Sequence, residues 1–499
     1  MALYTKSYAW KRYLAMLTFL VALQYVFNIF GLAQLPPLAQ AAQIWMVYNV
    51  IKYMCPCCCC KADEAPPDLE STLSPLSPNS LKEDIIMADS TPQPKRERLY
   101  YLDNLKVFLT FMVITHHVVC TFSGGGWVWN FNAYDGDGDG DYVNYTKTVG
   151  TWILTLNQMY FMCMFFFISG YFTPPSFRKK GAQAFLKDKF KRLGIPYVVV
   201  SWIYFPICIL SSIYMIKSVG SIPGAADDDT VTDLWYYACI PNPGPLWFVG
   251  WLCIFSYLYA NVDHSEPTVM SCPSPLKLLC WSVPLSILNF ALIGGLGSFM
   301  YMPIAQGSLP FDILFFYGGC IANNNKWLDR GTPGGLVEIM EDRRTKIWTY
   351  GTFILAAGGA LPFLLSGPSQ EAVVIAQFLL CTLGIALIFY VELDFFRLYF
   401  NFTGPISKLL SKAAYAAYII HPIFVNLSSY LFLKVYQGST GDDGVVFIAH
   451  NLTSTSEFTA EDAQGWLMGG MFTASAFAVV TTFVTAHFFR QLPGCREIL

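Results

Sequence analysis

The sequence predicts an all-α fold: a polytopic transmembrane helical bundle of about ten core helices, preceded by an N-terminal membrane segment. Three observations carry this. Of the 499 residues, 54% are hydrophobic and only 13% charged, about half the charged share of an ordinary soluble domain. Apolar runs close to the bilayer span of about twenty residues recur from Leu102 onward, with short polar breaks between them. Those runs are continuous, as at Leu193 to Ile216 and Met468 to Phe489, and lack the alternation of a membrane β-barrel.

Taken in order, residues 1–60 form the N-terminal membrane segment, with an apolar run from Leu14 to Leu32. Leu38 to Met54 reads either as a short second span or as an interfacial helix. Directly after it come Cys55, Cys57, Cys58, Cys59 and Cys60. Juxtamembrane cysteines are candidates for palmitoylation, and this spacing lacks the two-residue gaps of zinc sites. The remaining ten of fifteen cysteines are scattered singly, so they outline no disulfide framework. Residues 61–98 are a polar, proline-rich linker with Ser74-Pro75, Ser77-Pro78 and Thr91-Pro92 among acidic residues; the composition predicts a disordered cytosolic segment. Residues 99–490 are the helical core and 491–499 a cytosolic tail.

Candidate spans in the core start near residues 102, 149, 193, 244, 276, 308, 346, 371, 413 and 465. With the chain before Leu102 in the cytosol, the inner loops collect Arg178 to Arg192, Lys326 to Lys346, Arg397, Lys408 and Lys412, while the outer loops hold Lys147, Lys217 and Lys434. This is the positive-inside bias, and it places both ends of the core in the cytosol. The glycosylation sequons at Asn144 and Asn451 then fall outside, as acceptors require, and the one at Asn401 falls inside. Asp135, Asp137, Asp139 and Asp141 have the spacing of a calcium loop. Thr146 stands where such a loop needs a bidentate glutamate, so a solvated acidic loop is the stronger reading and no resident metal is predicted. A net charge of −3 gives no footing for nucleic acid; the lipid bilayer is the partner the composition names.

The first core helix carries chemistry. At 100° per residue, Asp103, Lys106, Thr110 and His117 share an arc of about 60°, whereas His116 lies about 100° away from His117. Lys106 sits near the cytosolic end and His117 about 16 Å deeper, an offset suited to a long, thin substrate with an anionic head. Taken alone, His117 and His116 read either as functional groups or as histidines satisfied by a neighbouring helix. Downstream, Tyr418, His421 and Ser428 fall at similar angles on one helix, with Pro422 freeing a backbone carbonyl.

Leu102-Asp103-Asn104-Leu105-Lys106, with His117 after a gap of ten, resembles the opening of the acyltransferase-3 family of integral-membrane O-acyltransferases. Phe165 to Tyr171, Lys189 and Arg192 before Gly194-Ile195-Pro196-Tyr197, Gly244 to Val249, and Tyr415-Ala-Ala-Tyr418-Ile-Ile-His421-Pro422 resemble its further segments. Lys106 and Lys189 stand where that family usually has arginine, which keeps the charge but not the bidentate fork; Ala414 replaces a usual serine. The resemblance implies acyl transfer from cytosolic acyl-CoA to a hydroxyl acceptor such as a carbohydrate, glycan or lipid-like molecule, with no tightly bound cofactor. It implies His117 as general base, Asp103 orienting Lys106, phosphate binding by Lys106, Lys189 and Arg192, and a substrate site including His421, Trp247, Tyr418 and His116. Two other classes fit the same buried histidines: a transporter or channel with a histidine-lined path, and a catalytically silent scaffold with the same fold.

Overall fold

The computed structural model describes residues 98–123, 130–131, 145–218, 242–262, 268–293, 298–299, 302–303, 308–365, 370–440, 447–448 and 460–498. The N-terminal segment, the linker, the cysteine cluster, Asp135 to Asp141, and the sequons at Asn144 and Asn451 lie outside the described residues.

The chain is built from helices because its apolar stretches must satisfy every backbone amide internally in lipid. In order these are α1 (Tyr100–Phe122), α2 (Tyr145–Lys180) and α3 (Ala182–Lys189), which runs on through α4 (Ile195–Val199) into α5 (Phe205–Ser218). There follow α6 (Trp247–Asn261), α7 (Pro275–Ile293), α8 (Leu309–Asn324), short α9 (Leu336–Glu341), α10 (Arg343–Leu365), α11 (Gln370–Tyr399), α12 (Pro405–Thr440), α13 (Ala460–Phe489) and α14 (Cys495–Ile498). Each expected span coincides with a helix. Among the described residues six helices are long and apolar enough to cross a membrane, and α11, bent by 42°, makes seven when its two halves are counted as one span. At 15 and 16 residues, α6 and α8 are shorter than a full span. One boundary differs from expectation: the basic stretch Lys187 to Arg192 is not a loop, because a helical span starts at Ala182, eleven residues before the apolar run begins.

At the lysine- and arginine-rich end, the Tyr101 amide donates to Asn401 Oδ1 at 3.2 Å, and Asn104 Nδ2 donates to the carbonyls of Phe400 and Phe402 at 2.6 and 2.9 Å. Arg178 reaches Asn324 and Asn323 at 2.8 and 3.3 Å, and the Met270 amide reaches Asn325 Oδ1 at 3.1 Å. At the opposite end, two-residue strands β1 (Asn130–Phe131) and β4 (Phe447–Ile448) pair antiparallel, joining the connections after α1 and α12. A second ribbon pairs β2 (Ser298–Phe299) with β3 (Met302–Pro303).

In the interior, α1 packs against α2, α12 and α13, and α2 crosses α8. The α2–α8 crossing depends on reciprocal glycines: a Cβ at Gly170 would overlap the Phe316 carbonyl, and one at Gly319 the Phe167 carbonyl. Small residues of this kind let two backbones meet where lipid supplies no hydrophobic drive. The structure therefore describes a multi-pass membrane protein.

Candidate functional site

Two prolines organise the site. Pro422 has no N–H to offer the Tyr418 carbonyl one turn earlier, and His421 Nδ1 takes that carbonyl at 2.7 Å. Since a carbonyl only accepts, Nδ1 carries the proton, and in the neutral ring Nε2 holds the lone pair. Pro196 likewise leaves the Arg192 carbonyl without its usual amide donor, and the Tyr415 hydroxyl donates to it at 2.6 Å. Between them, the Tyr418 hydroxyl donates to the Pro245 carbonyl, and Tyr204 reaches across to the Ile420 carbonyl at 2.5 Å. One face of α12 thus ties down the basic turn at Arg192, the Gly244–Leu246 turn before α6, and α5's approach.

His421 is fully buried. Its ring stacks on His117 of α1, with centroids 5.3 Å apart and planes 20° from parallel. His117 as a residue is less completely buried than His421. Phe165, Phe166, Phe248 and Tyr418 complete an aromatic wall: Phe165 to Phe248 is 5.6 Å, Phe166 to Phe248 4.6 Å and Phe248 to Tyr418 6.0 Å. Four of the sequence segments singled out above therefore converge although they are far apart along the chain.

The other predicted residues are placed as follows. His116 turns towards α2 and stacks on Phe161 at 5.2 Å, edge-on to His117 at 5.4 Å; its buried Nδ1 has no hydrogen-bond partner among the described residues. Asp103 binds Lys106 at 2.8 Å. That pair stands about 16 to 21 Å along α1 from His117, so Asp103 acts on Lys106 and not on the imidazole. Lys106 Nζ lies 5.4 Å from the Phe172 ring centroid and Lys189 Nζ 5.4 Å from that of Phe185. Trp247 opens α6 with its side chain half-buried. The Tyr418 hydroxyl is committed to Pro245, which leaves its ring as the part available to a ligand. Lys106 stands on α1 and Lys189 and Arg192 on the continuous helix that starts at Ala182, all at the basic end, while the paired histidines lie deeper.

Three buried carboxylates were missed in reading the sequence. Asp312 in α8 lies fully buried, with Oδ1 3.6 Å from Cys163 Sγ. Glu392 in α11 is also buried, and neither of its oxygens has a hydrogen-bond partner among the described residues. Asp394 is fully buried and pairs with Lys346 and Arg397. Their signal was available: an acidic residue inside an apolar run is costly and rarely idle.

Against this geometry, a family model described as an acyltransferase domain, that of acyltransferase-3, matches residues 99–487. No curated protein and no solved structure matches the chain.

Proposed function

Because the chain belongs to the acyltransferase-3 family, we propose that this membrane acyltransferase moves an acyl group from acyl-CoA to a hydroxyl acceptor, with His117 as general base. The observation that carries the reading is the stacked pair: the His117 imidazole on α1, backed by a fully buried imidazole whose own tautomer is fixed by the carbonyl that Pro422 frees.

A hydroxyl is a weak nucleophile at neutral pH, and a positioned imidazole that removes its proton contributes about 10² to 10⁴ in rate. In this reading, His117 takes the proton as the acceptor oxygen attacks the thioester carbonyl. The carbon–sulfur bond breaks, the ester forms, and the departing CoA thiolate takes up the proton. His421 holds the His117 ring plane and borders the acceptor together with the faces of Tyr418 and Phe248. At the basic end, Lys106, steadied by Asp103, and the side chains of Lys189 and Arg192 bind phosphates. The offset of about 16 Å along α1 spans from that anionic head to the thioester of a bound donor. The positive-inside bias supports a cytosolic approach for the donor.

The test is acyl-CoA consumption by the purified chain in lipid, wild type beside His117→Ala, over short and long acyl chains. Turnover that falls about a hundredfold or more in the mutant, with CoA binding retained, is the expected result. Equal turnover in both proteins overturns the assignment of the base, and no binding or consumption of acyl-CoA by wild type overturns the reaction.

A further inference from the structure

Away from the histidine pair, α9, α10, α11 and the turn before α9 border an open pocket of about 590 Å³ lined by Arg330, Arg343, Lys346 and Arg397 together with Glu341, Met340 and Leu398. We propose that this pocket is a binding site for a phosphate-bearing anion.

Its charge is the first argument. Four cations line it, against Glu341 in the wall and Asp394 buried beneath, so two positive charges remain in excess. Asp394 fixes the floor: Lys346 Nζ binds one oxygen at 2.8 Å and Arg397 Nη2 the other at 2.6 Å, with the Tyr350 hydroxyl at 3.1 Å. Arg397 is thereby locked with its side chain only 9% exposed, and its buried Nε has no hydrogen-bond partner among the described residues. The planar guanidinium groups of Arg330, Arg343 and Arg397 suit phosphate oxygens.

Surroundings and size agree. A volume near 590 Å³ lies within the usual range for small-ligand sites, about 300–1,000 Å³. Met340 and Leu398 add an apolar wall, and the cavity sits at the foot of α10, whose apolar window is only 11% buried and so faces lipid. Basic pockets between spans commonly hold lipid phosphates. A membrane phospholipid and a soluble phosphate share the chemistry, and the experiment separates them.

The full chain is reconstituted in phosphatidylcholine nanodiscs with or without phosphatidic acid, and retained lipid is read by native mass spectrometry. Wild type is expected to retain phosphatidic acid over phosphatidylcholine. The double variant Arg330→Gln, Arg343→Gln, which spares the pairs to Asp394, is expected to lose that preference by about tenfold or more, the effect of one charge-assisted contact. A second variant, Leu398→Trp, keeps every charge and fills the cavity; it is expected to lose retention too. Binding of inorganic pyrophosphate in phosphatidylcholine-only discs, abolished by both variants, supports the site with a soluble occupant. Retention and pyrophosphate binding that are the same in wild type and both folded variants overturn the proposal. His117→Ala retains the site in full, so this result is independent of the acyl-transfer test.

Discussion

Helices α10 and α12 have the same mean hydropathy, 1.4 over their most apolar windows, yet 67% of the α12 window is buried and only 11% of the α10 window. What separates them is what they offer their neighbours. Helix α12 presents Tyr415, Tyr418, His421 and Asn426, the last bound to Ser212 Oγ at 2.6 Å. Helix α10 presents Ile354 and Leu355 outward, and its glycines at 351, 358 and 359 would meet nothing within 4 Å on gaining a Cβ. Apolarity decides that a helix enters the membrane; hydrogen-bonding side chains and close packing decide where in the bundle it stands.

The largest test of this contrast is chemical. His117→Ala, on the helix that α12 holds, is expected to lower acyl transfer about a hundredfold or more with little change in unfolding temperature, whereas alanine at Ile354 or Leu355 leaves turnover unchanged. Comparable losses on both helices would mean that the site is not where α12 gathers its polar groups. Next in size is Asp394→Asn. The hairpin of α10 and α11 is pinned at its basic end by this buried carboxylate, and removing it strands Arg397, so a loss of about 3 kcal/mol is expected. That figure is at the low end for a broken buried pair because Lys346 is 36% exposed. Denaturant unfolding in detergent reads it, and hydrogen exchange should show the opening confined to α10 and α11; a uniform change along the chain would mean the hairpin has no separate anchor.

Much of this was legible in the sequence. Every expected span holds a helix, since apolar runs of span length have few other ways to satisfy their backbone in lipid. His117 and His421 were legible as costly residues inside spans, and Pro422 as a source of one free carbonyl. Their partners were not. That His117 meets His421, or that Tyr415 reaches Arg192, depends on how α1, α3 and α12 pack, and no local pattern encodes it. The start of the span at Ala182 was missed because Lys187 to Arg192 reads as a polar loop, although these side chains extend from a helix end without breaking it. Asp394 was missed because its partner Lys346 had already been explained by the positive-inside bias.

The glycines sharpen the contrast at smaller amplitude. Gly170→Ala places a methyl group against the Phe316 backbone, which cannot give way as a flexible side chain would, and a loss of about 1–3 kcal/mol is expected. Gly358→Ala on α10 meets open space and should gain a few tenths of a kcal/mol to about 1 kcal/mol from helix propensity. Parallel thermal scans of the two variants check the sign of each shift; a destabilising Gly358→Ala would place another element against that face of α10.

The smallest expected effect is the most discriminating for α12. Tyr415→Phe removes one hydroxyl and leaves the Arg192 carbonyl without the donor that compensates for Pro196. The bond is solvent-accessible, so water replaces it in part, and about 1 kcal/mol is expected. Since the turn it steadies carries Arg192 and not His117, the effect should fall on donor binding: KM for acyl-CoA rising about fivefold with kcat nearly unchanged. A fall in kcat at constant KM would instead mean that α12 transmits the loss to the stacked histidines, and that the basic turn and the imidazole pair act as one unit.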